Sequence, residues 1–182
     1  YEDMLQGERI YLRPFIQHDD QRLLQYELKN RLFFKPYVFT RNDQYYTLAN
    51  IRKYIHTYET QWQNKESYRY GIFLNSSHQL IGTIALNDIL WPLRCAYIGY
   101  ALDEDHNKKG YMSEALKLMI HHAFFTLKLH RIEAGVMPSN VPSWQLLEKH
   151  GFEREGLMRK NVHINGQWED HYHYALINPN DL

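Results

Sequence analysis

A single cysteine, Cys95, stands among 182 residues, so no intramolecular disulfide can brace the fold. No apolar run approaches the roughly 20 residues of a membrane-spanning helix, and no charged-then-apolar leader opens the chain. The expected compartment is the cytoplasm, with no membrane partner. Net charge is missing too, because 21 Lys plus Arg balance 21 Asp plus Glu. A chain with no overall field draws little from neutralising phosphates along a nucleic acid, so none is expected as a partner and any anion site must be local. Glycine (9) and proline (6) mark turns without gathering into a linker or low-complexity tract. No repeat is visible, and residues 1–182 read as a single domain.

Aromatic side chains are plentiful: 15% of the residues, with Tyr at 15, inside a 44% hydrophobic chain. Most are expected in a core of large residues with half-buried phenols. Eleven histidines raise the question of a metal, and His171-Tyr172-His173 places two imidazoles on one strand face. No third ligand stands at a recognised spacing and neither HExxH nor CxxC occurs, so no metal is expected.

Residues 9–15 (RIYLRPF) alternate as a strand that stops near Pro14. Asp19 and Asp20 offer a helix cap before Leu23, Leu24 and Leu28; an aromatic connection follows, and Asn42 and Asp43 offer the next cap. Leu48, Ile51, Ile55, Tyr58 and Trp62 then form one helix face. Residues 68–75 and 80–86 read as an antiparallel hairpin, and 95–102 (CAYIGYAL) as another strand. A helix with Leu116, Met119, Ile120, Ala123, Phe124 and Leu127 in phase begins just after Gly110. A strand at 131–137 and a short helix ending at Gly151 follow, which implies a parallel strand pair. Residues 157–164 and 167–177 flank Asn165-Gly166, a strong hairpin signal because both residues tolerate positive φ.

The segment from Tyr100 to Glu114 runs strand, polar loop, Gly110, helix. Turn N–H groups and the free N–H groups of a first helical turn would point at one place there, where the helix dipole adds about half a positive charge. Lys108 and Lys109 would sit at the rim of such an anion seat. The loop is neither a Walker A sequence nor GxGxxG, which argues against NTPase and Rossmann dinucleotide sites.

Asn107-Lys108-Lys109-Gly110-Tyr111-Met112, followed by Ser113-Glu114-Ala115-Leu116, resembles the pyrophosphate loop of GNAT acetyltransferases, Gln/Arg-x-x-Gly-x-Gly/Ala. It departs from that pattern at Asn107 and Met112. Asn140-Val-Pro-Ser143-Trp-Gln-Leu-Leu147-Glu-Lys-His-Gly151-Phe152 is similar to the second family signature, Asn-x-x-Ser-x-x-Leu-x-x-x-Gly-Phe. Glu155-Gly156, Asn165-Gly166, Asp170 and Tyr174 extend the resemblance toward the ribosomal-protein (Rim-type) N-terminal acetyltransferases. The resemblance implies an α/β (α+β) fold: a mixed, mostly antiparallel central sheet, with helices on both faces and a splayed parallel pair at 95–102 and 131–137. It also implies acetyl-CoA as co-substrate, with no metal. The pyrophosphate would rest on Asn107, Lys108, Lys109, Gly110, Tyr111, Met112 and Ser113, a main-chain N–H near Tyr100, Ala101 or Leu102 would meet the thioester carbonyl, and Asn140 would hold the cofactor arm.

In that branch the hydroxyl three residues after the signature Asn is a candidate acid toward sulfur, here Ser143; it equally suits a first-turn serine satisfying local backbone. The Tyr that many relatives use is Leu147 here. Places where relatives carry a glutamate base hold Tyr97 and Val162, which leaves Tyr97, His163 and Asp170 as candidates. An α-amine with pKa near 8 needs only a weak base or a water relay. Phe33, Phe34, Tyr37 and Phe39, with Trp91-Pro92 and Asp170, are candidates to wall the acceptor pocket; core packing is the alternative for the aromatics. The acceptor is a primary amine: a protein N-terminus on the Rim-type reading, otherwise a small-molecule amine. A non-catalytic acyl-CoA-binding module is the third reading, and monomer and homodimer both remain open.

Overall fold

The computed structural model describes residues 3–181. Its second strand sends Ile10 and Leu12 to one side and Tyr11 and Arg13 to the other, and all four are buried. Successive strand residues face opposite ways, so this sheet must be covered on both faces. The chain runs β1 (Leu5–Gln6), β2 (Ile10–Pro14), α1 (Asp20–Lys29), a one-turn α2 (Arg31–Phe34), α3 (Leu48–Gln63), β3 (Tyr68–Leu74), β4 (Leu80–Leu90), β5 (Cys95–Leu102), α4 (Tyr111–His121), β6 (Arg131–Val136), α5 (Val141–Lys149), β7 (Glu153–Ile164) and β8 (Gln167–Ile177). One eight-stranded sheet results, ordered β1-β2-β3-β4-β5-β6-β8-β7, with β5–β6 its parallel neighbours and antiparallel pairing elsewhere.

One face buries Ile10, Leu12, Ile84, Ala96 and Ile98 with Leu116 and Met119 of α4 and Leu147 of α5. The other gathers Tyr11 and Phe73 with Leu23 and Tyr26 of α1, Phe34 of α2, and Ile51 and Ile55 of α3. Each such aliphatic side chain contributes roughly 1.5–3 kcal/mol. The mixed, mostly antiparallel sheet with one parallel pair and flanking helices is the fold expected from the resemblance. No helix among the described residues is long and apolar enough to cross a membrane.

Local differences have local causes. β1 was not foreseen because two residues carry no period. β7 starts at Glu153 rather than Leu157, because it is an exposed edge strand with no buried face to mark it. Asn42 caps a 3-10 turn over Asp43–Tyr46, accepting from Tyr45 N at 3.2 Å, whereas Thr47 caps α3 by accepting from Asn50 N at 3.3 Å. Asp19 precedes α1 but does not cap it.

Instead Arg13 donates two bonds to the Asp19 carboxylate, at 2.7 and 2.8 Å, and Ile16 N adds a third at 2.9 Å, all out of solvent. Burial alone would raise the Asp19 pKa; bonds from Arg13 and Ile16 and the charges of Arg13 and Arg22 outweigh it and hold the carboxyl below its usual range. Because the native pKa is the lower one, this stabilisation is present above the unfolded carboxylate pKa near 4 and fades as pH falls through the native value. Asp19→Asn should lower the unfolding free energy by about 3 kcal/mol at neutral pH, since it removes the charge from one side of a buried, doubly hydrogen-bonded ion pair. Urea unfolding at pH 7 and in acid measures this; a loss below about 1 kcal/mol at pH 7 would contradict it.

Candidate active site

β5 and β6 share three rungs, Cys95↔Arg131, Ala96↔Ile132 and Tyr97↔Glu133, and then part. Past that point β5 stays with β4 as far as Leu102, and β6 stays with β8 as far as Val136. The facing edges of residues 98–102 and 134–136 therefore have no ladder partner. Alternate backbone N–H and C=O groups of both strands look into the gap, where an extended ligand rich in amides can pair with them.

A loop with the chemistry of an anion seat closes the wide end. Lys108 (φ +62°) and Gly110 (φ +82°) are left-handed, and α4 begins at Tyr111, so successive N–H groups converge ahead of a helix N-terminus. Lys108 and Lys109 are exposed beside it. Arg9 braces the loop from 100 residues away: its Nη1 donates to Lys109 O at 2.8 Å, its Nε to Glu114 Oε2 at 3.2 Å, and its guanidinium lies over the Tyr111 ring. The buried Asp103 anchors the start of the loop by accepting from Lys29, from Asn30 Nδ2 (2.9 Å), from His106 Nδ1 (2.6 Å) and from Asp105 N. Burial pushes the Asp103 carboxyl up, but bonds from Lys29, Asn30 and His106 bring it down to about 2, so it stays ionised.

The two departures from the family loop pattern take structural places. Met112 points into the core, and Asn107 donates from Nδ2 to Asp103 O at 3.0 Å. Ser113 shares a 2.9 Å bond with His150 Nε2, joining the first turn of α4 to the end of α5. Asn140, at the α5 N-cap, has no side-chain capping bond.

On the α5 side of the gap, the Tyr100 hydroxyl meets Ser143 Oγ at 3.0 Å and donates to Ser143 O at 3.2 Å. Burial pushes the Tyr100 phenol up to about 12, only partly opposed by the Ser143 bond, so it keeps its proton. Leu147 is buried in the core. Ala101 lies half-buried against the α1–α3 cluster and Leu102 packs on the opposite face.

Strand alternation puts Tyr97 on the α1–α3 face with Ala101. The ring of Tyr97 is 38% exposed and stands edge-on to His173, 6.1 Å between centroids. Burial, then the charge of Glu133, raises its pKa. Across the mouth the connection after α2 meets the tip of the β7–β8 hairpin, where Asn165 N donates to Thr40 Oγ1 at 3.0 Å. This arch carries the exposed Phe33, Tyr37 and Phe39 on one limb. Phe34 turns inward against Tyr26, and Trp91 lies in the turn between β4 and β5, donating to Lys65 O, so the structure does not gather these two with the others. His163 is at the hairpin tip against Trp168, and Asp170 accepts from Lys160 N at 2.8 Å to hold a bulge. Two surface concavities of about 420 and 570 Å³ share Arg22 and His78 beside α1 and the β3–β4 turn, and the first also borders Lys29 and Asp103 at the start of the loop. Among the described residues no three potential metal ligands converge.

The sequence reading passed over Arg9, Asp103, Asn30, Glu133 and the role of His173. Glu133 could have been found as the one acidic residue on either splayed strand.

Residues 9–153 match the acetyltransferase (GNAT) domain family. The chain is 49% identical over 179 residues to a probable N-acetyltransferase of Bacillus subtilis, YjcK, covering 98% of this chain and 99% of that one. It is 30% identical to the ribosomal protein uS5-alanine N-acetyltransferase of Escherichia coli, covering 96% and 91%. A solved structure of a ribosomal L7/L12 α-N-protein acetyltransferase, RimL, in complex with coenzyme A superposes with a TM-score of 0.89 at 26% identity, covering 96% of this chain and 97% of the other.

Proposed function

Because the chain belongs to the GNAT acetyltransferase family and is an N-acetyltransferase, we propose that it carries acetyl from acetyl-CoA to the α-amine of a protein or peptide N-terminus, as a cytoplasmic enzyme. One observation carries this reading above the rest: a parallel strand pair that opens after three rungs, with a left-handed Gly110 loop at its wide end and an arch of exposed aromatics over its α1–α3 face.

The site fits acetyl-CoA on its own chemistry. The loop at Lys108–Gly110 offers N–H groups and nearby lysines to a pyrophosphate, the open strand edges offer amide partners to a pantetheine arm, and Asn140 has an uncommitted side chain. Acetyl-CoA supplies the activated acyl group. A main-chain N–H near Ala101 receives the developing oxyanion. Ser143, linked to Tyr100, delivers a proton toward sulfur. Phe33, Tyr37 and Phe39 offer more apolar surface than solvent favours, which suits the first side chains of a peptide. The similarity to a uS5-alanine acetyltransferase points to a small N-terminal residue on a ribosomal protein.

The test is release of free CoA thiol against N-terminal peptides, polyamines and amino acids, alongside calorimetry of acetyl-CoA binding. Turnover on peptides beginning with Ala or Ser is expected. Turnover confined to small amines would move the acceptor class, and tight binding without turnover would make the chain a cofactor-binding module.

A further inference from the structure

Neither place where relatives carry a glutamate base is acidic here, yet Glu133 is the β6 partner of Tyr97 on the last shared rung. Registered neighbours in a parallel pair lie on the same face, with strands about 4.8 Å apart, so a carboxylate stands one strand over from Tyr97, where the gap begins. Residues 95–102 contain no acid and residues 131–136 contain this one.

The bonds around Glu133 are unequal. Oε1 accepts from His173 Nε2 at 2.9 Å and Arg131 Nη2 at 3.2 Å, while Oε2 accepts no bond from the described residues and is not sealed from solvent. The groups that face it are Arg131 on its own strand, His173 on β8, Glu155 on β7 and Tyr97 on β5. Arg131 is already held by both oxygens of Glu155. His173 donates through Nε2, because a carboxylate only accepts, and its enclosed Nδ1 has no hydrogen-bond partner among the described residues. The guanidinium of Arg131 stands between two carboxylates, Glu133 and Glu155, an acidic balance at the opening that favours an ammonium.

We infer that Glu133 is the proton acceptor for the substrate amine, directly or through one water, and that His173 is the residue that positions it. The inference rests on the proposed transferase reading but not on which amine is used. Of the two protons an ammonium gives up, Glu133 Oε2 takes each in turn. The first is released before attack and passes to solvent. The second leaves nitrogen as the C–N bond forms and the C–S bond breaks, and returns through water to Ser143, whose own hydroxyl proton has gone to sulfur.

The experiment is the pH profile of kcat/KM for Glu133→Gln, run with whichever amine of the panel the wild-type enzyme turns over. Gln keeps the acceptor toward His173 and Arg131 and removes the negative charge together with the basicity. About a 100-fold loss is expected at pH 7, shrinking as pH rises toward the pKa of the amine used, to roughly tenfold or less at pH 9.5 for an α-amine, which is then neutral before it binds. Affinity for acetyl-CoA should stay within about threefold, which confirms a folded variant. Glu133→Asp should recover part of the rate, and His173→Asn should lower kcat less than Glu133→Gln does. A loss independent of pH, or a rate within threefold of wild type at pH 7, overturns the assignment. An unexpected choice of amine by the wild-type enzyme would count against the N-terminal acceptor and leave this comparison intact.

Discussion

With Ser143→Ala, kcat should fall by about two orders of magnitude while acetyl-CoA affinity stays within about threefold of wild type. The thiolate leaves without a proton source in that variant. Thermal stability should hardly change, because the Tyr100 hydroxyl keeps its bond to Ser143 O, a backbone acceptor that the substitution leaves in place. Ser143 N also keeps its bond to Asn140 O, so the first turn of α5 survives. A purely structural serine would show the opposite pattern, with lower stability and normal turnover. Tyr100→Phe should cost about tenfold in kcat, and adding it to Ser143→Ala should bring no further loss, since both act on one proton path. Stopped-assay kinetics and calorimetry on the two single variants and the double variant decide it. Ser143→Ala turning over at more than a third of the wild-type rate would remove the hydroxyl from the mechanism.

What could be read beforehand was local. α4 announces itself through Leu116, Met119 and Phe124 at helical spacing, and the β7–β8 turn through Asn165 (φ +53°) and Gly166 (φ +80°), both left-handed as two-residue hairpins require. The second family signature falls on the start of α5 for the same reason, as Asn140 and Ser143 act within one turn. Seven of the eight strands and the parallel pair also follow from local pattern, because a strand-helix-strand unit leaves few topologies.

The remainder of the site is made by register and by distant partners. Glu133 matters because it lies level with Tyr97 across two strands, 36 residues apart in the chain, and no spacing rule encodes that level. The anion loop was legible at Gly110, but the residues that hold it, Arg9 and the Asp103–Asn30 pair, come from β2's approach and from α1. Aromatic composition was the weakest guide: Phe33 and Phe34 are adjacent, yet one lines the arch and the other packs on Tyr26, a division set by the single turn of α2.

Gly110→Val should weaken acetyl-CoA binding by about 30-fold or more, close to 2 kcal/mol, and the reason is backbone geometry. Gly110 sits at φ +82°, where a non-glycine residue costs roughly 1–2 kcal/mol and a β-branched one more. An added Cβ would also lie 3.1 Å from Arg9 Nη2, pressing on the guanidinium that holds Lys109 O and Glu114. To relieve both, the turn must rotate, and the N–H groups that converge ahead of α4 no longer point together. Gly110→Asn separates the two effects, because Asn tolerates the left-handed region through local hydrogen bonding; it should lose less than about fivefold. Calorimetric titration with acetyl-CoA and with CoA at two salt concentrations measures all three proteins, and the valine variant should also lose salt dependence as phosphate contacts are given up. Equal affinities for the glycine and valine proteins would place the pyrophosphate elsewhere on the molecule.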